Sequence, residues 1–516
     1  MSENRKSVVR STAYVTLIVF VSKAIGFVRE MIMADVFGAN AMTDAYNSAY
    51  SLFYLPLMLF SSCITSTLVP RFLHCENELG SERAGRFASS TLNLFSLAAL
   101  IISILMVILA DGLVSVVYPG FTPETHLLAV KLSRIMFPAL VFFTAALVLS
   151  SLLNAKKKFV AAQLTGIPLS AAEITAALFF SKKYGITAQA WGIIAAGVLQ
   201  VLVLVPFLRG LIKYTPSFDL KDPHFRRLLA LAGPAVLSMA VNELNHMIDR
   251  MLASGLNAGD ISAMSYAFKI IMFMMGVLVV PLATVSFSEF SEGALNEHPE
   301  QTVIPQVREN LKMLLTVLLP LVVIGAVESR HMIRFAYGRG AFTEENVRVT
   351  GTVFLFYIVG LPFFGVRDLM NHVYHAFQDT VTPMIIAAAS MALNIVLNLI
   401  LRKVMGVNGL AFATAIAALL GVILLFAFLR RRVKGIFGKK FVFDIIKLIV
   451  CNIPVFAVCM VLGRVLPEAY GTLRVFLRLA LVAAASLTVY AAVILLTDRK
   501  TALAAVGKIV RRFKKH

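Results

Sequence analysis

Six basic residues stand inside long apolar runs of this 516-residue chain: Lys23, Arg29, Arg250, Lys269, Arg367 and Lys447. A charge in mid-bilayer costs roughly 2.5–3.5 kcal/mol on insertion scales, so such residues are kept for a partner or a polar cavity. The stretch from Ser22 to Tyr50, SKAIGFVREMIMADVFGANAMTDAYNSAY, holds Lys23, Arg29 and Glu30 in its apolar middle and a lone Asp44 in the loop that follows. An excess of buried cations suits an anionic ligand, and guanidinium matches phosphate through paired hydrogen bonds. Internal pairing is the competing account: Lys23 and Glu30 are seven apart on one helical face, and Arg250 adjoins Asp249.

Other titratable groups carry less. Arg367 and Asp368 form either an inner gate or a structural ion pair. His372 and His375, three apart, could relay protons or bind metal, but a pair at the cytoplasmic edge is the plainer account. Glu173 and Glu243 are buried acids suited to a coupling cation or, more simply, to a hydrogen-bonded contact between helices. There is no Walker A motif, nucleophile elbow or H-E-x-x-H, so neither direct ATP drive nor hydrolysis has support. No catalytic residue, metal or cofactor is expected.

The elements that position these charges are set by composition. The chain is 59% hydrophobic and 15% charged, with a mean hydropathy of +0.83; globular domains are roughly 45–50% apolar and about 25% charged. Apolar blocks of about 20 residues, each able to cross a hydrocarbon core of roughly 30 Å, recur from end to end. This predicts an all-α polytopic membrane protein, because helices satisfy their own backbone in lipid. About fourteen spans are expected: 12–36, 46–71, 88–117, 131–153, 159–181, 186–208, 229–255, 262–287, 313–333, 349–376, 381–401, 407–429, 441–463 and 475–497. Arg5, Lys6 and Arg10 before AYVTLIVFV imitate a signal peptide, but the apolar run continues with no A-x-A-like site and reads as an uncleaved first span. The four cysteines form no C-x-x-C pair and fit free thiols.

The net charge of +20 matters by placement, not as a sign of nucleic acid. With the N-terminus inside, inner segments hold 29 Lys and Arg and outer loops 13, which puts both termini in the cytoplasm. The tail DRKTALAAVGKIVRRFKKH reads as a basic amphipathic helix lying on anionic lipid.

Residues 154–209 align with 375–430 at a constant offset of 221, with 15 identities in 56 positions and no gap. At that offset Arg29 lies over Arg250, and Tyr46 falls within one residue of Tyr266. Six spans per copy give two parallel six-helix repeats, the arrangement that puts a transporter's site at the midplane between lobes. The domains follow: an N-lobe at 1–215, a C-lobe at 216–435, two extra C-terminal helices at 436–498 and the basic tail at 499–516. By helix rise, Arg29 and Lys269 should each lie about seven residues, or roughly 10 Å, below the outer end of their spans.

The sequence around SKAIGFVREMIMADVFGANAMTDAY resembles the lipid II flippases, MurJ (MviN), of the multidrug/oligosaccharidyl-lipid/polysaccharide exporter superfamily. RIMFPALVFFTAALVLSSLLNAKKKF, LAGPAVLSMAVNELNHMIDRMLASGL, YGRGAFTEENVRVTG and HAFQDTVTP extend the likeness over nearly the whole chain. The resemblance implies fourteen helices, with the final pair forming a lipid-facing groove, and a place in the bacterial cytoplasmic (inner) membrane. It implies that the family's cavity arginines fall on Lys23, Arg29 and Lys269, its outer acid on Asp44 and its helix-7 asparagine on Asn245; Glu30 and Arg250 complete the candidate set. Lysine at 23 and 269 keeps the charge but loses the bidentate fork. The family's basic residue in span 2 is replaced by LFYLPLMLFSSCITSTLVP. The implied activity moves an undecaprenyl-pyrophosphate-linked peptidoglycan precursor from the inner to the outer leaflet by alternating access, with a coupling cation as a candidate partner. Three alternatives stand beside it: another polyprenyl-linked glycan, a cation-coupled drug exporter of the same superfamily, and a non-transporting cell-wall scaffold.

Overall fold

A computed structural model describes residues 3–211, 213–219, 222–296, 299–432 and 438–497; the basic tail and part of the linker before the final helix pair lie outside them. Among the described residues the chain is helical, with no strand. Ten helices are long and apolar enough to cross a membrane, or eleven when one bent pair is taken as a single span. This agrees with about fourteen expected crossings. The 68-residue helix Ala41–Ile108 holds two expected spans, divided at Gly80, where φ of 81° and ψ of 171° break the helical path. The helices Glu3–Phe37 and Pro223–Ala253 cover the expected first and seventh spans. The bent pair, Pro123–Met136 and Ala139–Ala155, turns by 44° beside Pro138, which has no N–H to continue the helical ladder.

Local sequence sets the ends. Asn40 starts Ala41–Ile108 by accepting from the backbone N–H of Met42 and Thr43, while its own N–H donates to the Thr43 hydroxyl. This reciprocal cap satisfies donors that the first turn would otherwise leave open. Thr343 and Asn346 make the same exchange at Glu344–Ala376.

Packing divides the molecule into two compact units, Met1–Ser262 and Ala263–His516. The first is built on Ala41–Ile108, against which Ala139–Ala155, Pro223–Ala253 and Pro123–Met136 pack. Its interior includes Tyr46, Phe53, Leu132, Phe137 and Leu140. In the second, Asn452–Val465 and Thr472–Thr497 pack on Pro299–Val327 around Ile324, Val455, Cys459 and Val482. All four cysteines are free and buried.

Candidate functional site

The helix Glu3–Phe37 carries Arg29 to a point where it meets two carboxylates. Its two terminal nitrogens pair separately: Nη2 with Glu30 Oε1 at 2.7 Å and Nη1 with Glu173 Oε2 at 2.7 Å. Glu173 comes from the helix Gly166–Thr175 and is only 3% exposed. Its other oxygen accepts from the Tyr46 hydroxyl at 2.8 Å, and its main-chain carbonyl accepts from Gln189 Nε2 at 3.1 Å. Four helical segments of the first unit are thus joined at one polar cluster. A buried charge left without such partners costs several kcal/mol, which accounts for the density of the pairing. Arg29 is thus paired with Glu30 on its own helix and with Glu173 on another, while Lys23 is exposed. Glu173 has the interhelix hydrogen-bonded role expected for it.

Asp44 sits in the first turn of Ala41–Ile108, buried, with both oxygens engaged. They accept from the backbone N–H of Gly259 at 2.6 Å, from that of Ser262 at 2.8 Å and from the Ser262 hydroxyl at 2.6 Å. Ser262 also bonds Thr43 Oγ1 at 2.9 Å and accepts from Asn47 Nδ2 at 3.1 Å. Asp44 therefore ties the start of its own helix to the loop before Asp260–Met274. Gly259 has φ of +97°, and a Cβ there would lie 2.8 Å from the carbonyl oxygen of Ala39. Only glycine fits that approach.

The remaining candidates are distributed along both units. Asn245 and Arg250 are half-buried on Pro223–Ala253, where Arg250 donates to the Ser51 hydroxyl. Lys269, in the second unit, sets its Nζ 5.6 Å from the centroid of the Tyr266 ring, within cation–π reach. Arg367 lies 5.9 Å from the Phe364 ring, with Asp368 beside it in sequence. The rings of His372 and His375 meet edge to face at 6.3 Å. Among the described residues no group of three or more His, Cys, Asp or Glu is placed to hold a metal.

Sequence reasoning missed two polar centres. Ser262 has no signature, since a serine at a helix start is commonplace. Arg478, at the outer end of the expected span 475–497, counts in the sequence with the outer-loop charges and not with the six intramembrane ones. It is 7% exposed and pairs with Glu328 through Nε and Nη2, both at 3.2 Å. It also donates to the carbonyls of Gly463, Leu466 and Pro467. Glu328 lies just beyond the span Gln301–Val327. Burial alone would raise its carboxyl, but hydrogen bonds from His331 and Arg478 outweigh this and hold it below the ordinary carboxylate range.

Bilayer-length helices with charges paired between them define a polytopic helical membrane protein. The fold is shared with an inward-facing multidrug resistance MATE family transporter of the MOP superfamily, at a TM-score of 0.70 over 80% of this chain and 95% of that one, with 14% identity. The particular branch is given by closer likenesses. The chain belongs to the lipid II flippase MurJ family, whose model matches residues 33–481. It is 31% identical over 422 residues to the probable lipid II flippase MurJ of Rhizobium tropici, covering 80% of this chain and 79% of that protein. It is 30% identical over 420 residues to the lipid II flippase MurJ of Thermosipho africanus, covering 81% and 85%. A solved lipid II flippase MurJ in an inward closed conformation superposes with a TM-score of 0.79 at 26% identity, over 94% of this chain and 98% of that one.

Proposed function

We propose that the chain moves lipid II, the undecaprenyl-pyrophosphate-linked peptidoglycan precursor, from the cytoplasmic to the outer leaflet. The observation that carries this reading is the family match across residues 33–481, joined to a solved MurJ fold that covers nearly the whole chain. The headgroup enters a cationic cavity from the cytoplasmic side. The lobes at 1–215 and 216–435 then alternate access, and release follows outside. The lipid tail stays in the membrane along the final helix pair within 436–498. Lys23, Arg29, Arg250 and Lys269 supply positive charge for the pyrophosphate, with Glu30, Asp44 and Asn245 shaping their surroundings and Arg367 and Asp368 as the inner gate. A coupling cation is a candidate partner, and anionic lipid holds the tail at 499–516. The protein works as a carrier with no catalytic step, in the bacterial cytoplasmic membrane, with both termini in the cytoplasm.

Support for a cationic site comes from chemistry: two adjacent phosphates in a water-poor cavity need fixed positive partners. The test is complementation of a strain depleted of its own lipid II flippase, read by lipid-linked precursor. Growth with no precursor build-up is the expected result. Growth failure with the protein present in the membrane would reject lipid II as the cargo.

A further inference from the structure

Arg29 presents a fork to two carboxylates at once, and the two are not equivalent. Glu30 is its neighbour in sequence and moves with it on one helix. Glu173 arrives from another helix, and its grip on Nη1 depends on where Gly166–Thr175 stands relative to Glu3–Phe37. With each terminal nitrogen already donating to a carboxylate, a phosphate must compete with those carboxylates for the guanidinium, and the formal charge of the trio is negative. An anion gains the full pairing strength of both terminal nitrogens when one carboxylate gives way. The Tyr46 hydroxyl on Oε1 and Gln189 on the main-chain carbonyl give Glu173 an anchorage of its own, so it remains bonded when Arg29 leaves.

The arrangement is also one-sided. At the offset of 221, Arg29 falls on Arg250 and Glu173 on Asn394. Arg250 donates to a serine hydroxyl, and Asn394 donates to Thr414 Oγ1 and accepts from Asn398. Only the first copy sets a carboxylate from the fifth span against this arginine.

We propose that Glu173 is the exchangeable counterion of Arg29, a positioning residue that holds the guanidinium while the site is empty and competes with the pyrophosphate headgroup for it. This rests on Arg29 being a ligand-binding cation. The competition sets affinity against release: without the carboxylate, the headgroup binds more tightly and leaves more slowly.

The test uses the full-length protein in lipid nanodiscs, with purified lipid II as the probe at equilibrium, and complementation as the second readout. Glu173→Gln keeps shape and the Tyr46 contact but removes the charge. It should tighten lipid II binding by at least about tenfold, given the strength of contact charge pairs in a low dielectric, while precursor accumulates in cells. Glu173→Asp draws the carboxylate back by one methylene and should tighten binding less; it carries the test if the Gln protein fails to fold. Arg29→Ala should lose binding. Binding that is unchanged or weaker in the Glu173 variants, with Arg29→Ala still losing it, overturns the counterion and leaves the cavity reading standing. Wild-type binding by Arg29→Ala overturns both.

Discussion

Lys157 and Gln378, 221 positions apart, hold the same left-handed backbone conformation, with φ of 58° and 57°. They are the only non-glycine residues with positive φ among those described. Their surroundings match as well. The N–H of Lys158 bonds the Leu153 carbonyl at 2.8 Å, and that of Asp379 bonds the Tyr374 carbonyl at 2.9 Å, the same six-residue closure of a helix end at the same offset. Gly38 and Gly259, and Gly185 and Gly406, are further positive-φ pairs at that spacing. The repeat therefore extends to backbone detail at positions where the side chains differ.

Left-handed backbone costs a non-glycine residue roughly 1–2 kcal/mol. Glycine relieves this but adds freedom to the unfolded chain. Lys157→Gly and Gln378→Gly should each raise stability by about 0.5–1 kcal/mol, and valine at either position should lower it by at least about 1 kcal/mol. Thermal unfolding in detergent checks the order Gly, wild type, Val.

Asp44 predicts a different kind of loss. Asp44→Ala leaves the buried N–H groups of Gly259 and Ser262 without their acceptor, which should destabilise by on the order of 3 kcal/mol. Asp44→Asn keeps one acceptor oxygen and should cost less. Gly259→Ala should resemble Asp44→Ala, because its Cβ meets the Ala39 carbonyl. Unfolding temperature together with protease sensitivity of the loop at 254–262 distinguishes the three.

How much of this was readable follows from the range of each signal. Spans come from continuous apolar length, so their helical class and order were legible, and the repeat was legible from Gly185, Gly406 and the Phe-Leu-Arg ends. The bend at Pro138 and the break at Gly80 lie inside stretches that read as span or loop, and only the path of the backbone reveals them. The pairing of Arg29 with Glu173 was not legible, because nothing in sequence says which of several buried acids faces which cation. The Asp44–Ser262 contact joins residues 218 apart through a serine that has no pattern. Arg478 was not legible, because it sits at the outer end of its span where it counts as a loop charge, and its partner Glu328 lies 150 residues away.

For transport, Arg29→Ala and Lys269→Ala should each abolish complementation while the protein stays in the membrane. Lys23→Arg and Lys269→Arg should be tolerated, since charge is kept and donors are added. Lys23→Gln and Lys269→Gln should fail. Growth and precursor level at native expression decide it, with membrane abundance measured alongside.

Orientation has its own measurement. Cysteines introduced at positions 257 and 340 should react with an impermeant thiol reagent from outside, and those at 80 and 435 only after the cell is opened. The four native thiols are buried, so their background labelling should be low. The opposite pattern would invert the cytoplasmic placement of the termini.

The final helix pair hangs on Arg478. Its guanidinium closes the turn between Asn452–Val465 and Thr472–Thr497 through three carbonyls, and ties that turn to Glu328 at the end of Pro299–Val327. Arg478→Ala leaves a carboxylate that is 1% exposed with His331 as its remaining side-chain partner and should cost on the order of 3 kcal/mol. Glu328 is depressed in the folded protein, so its contribution is complete above the ordinary glutamate value of about 4.3 and is lost as pH falls through its lower folded value. Glu328→Gln should therefore be less stable than wild type at pH 7, while the difference narrows on acidification below about pH 4. Melting temperatures of the two proteins across that range read the effect directly; a constant gap would place the stabilisation in packing rather than in the charge of Glu328.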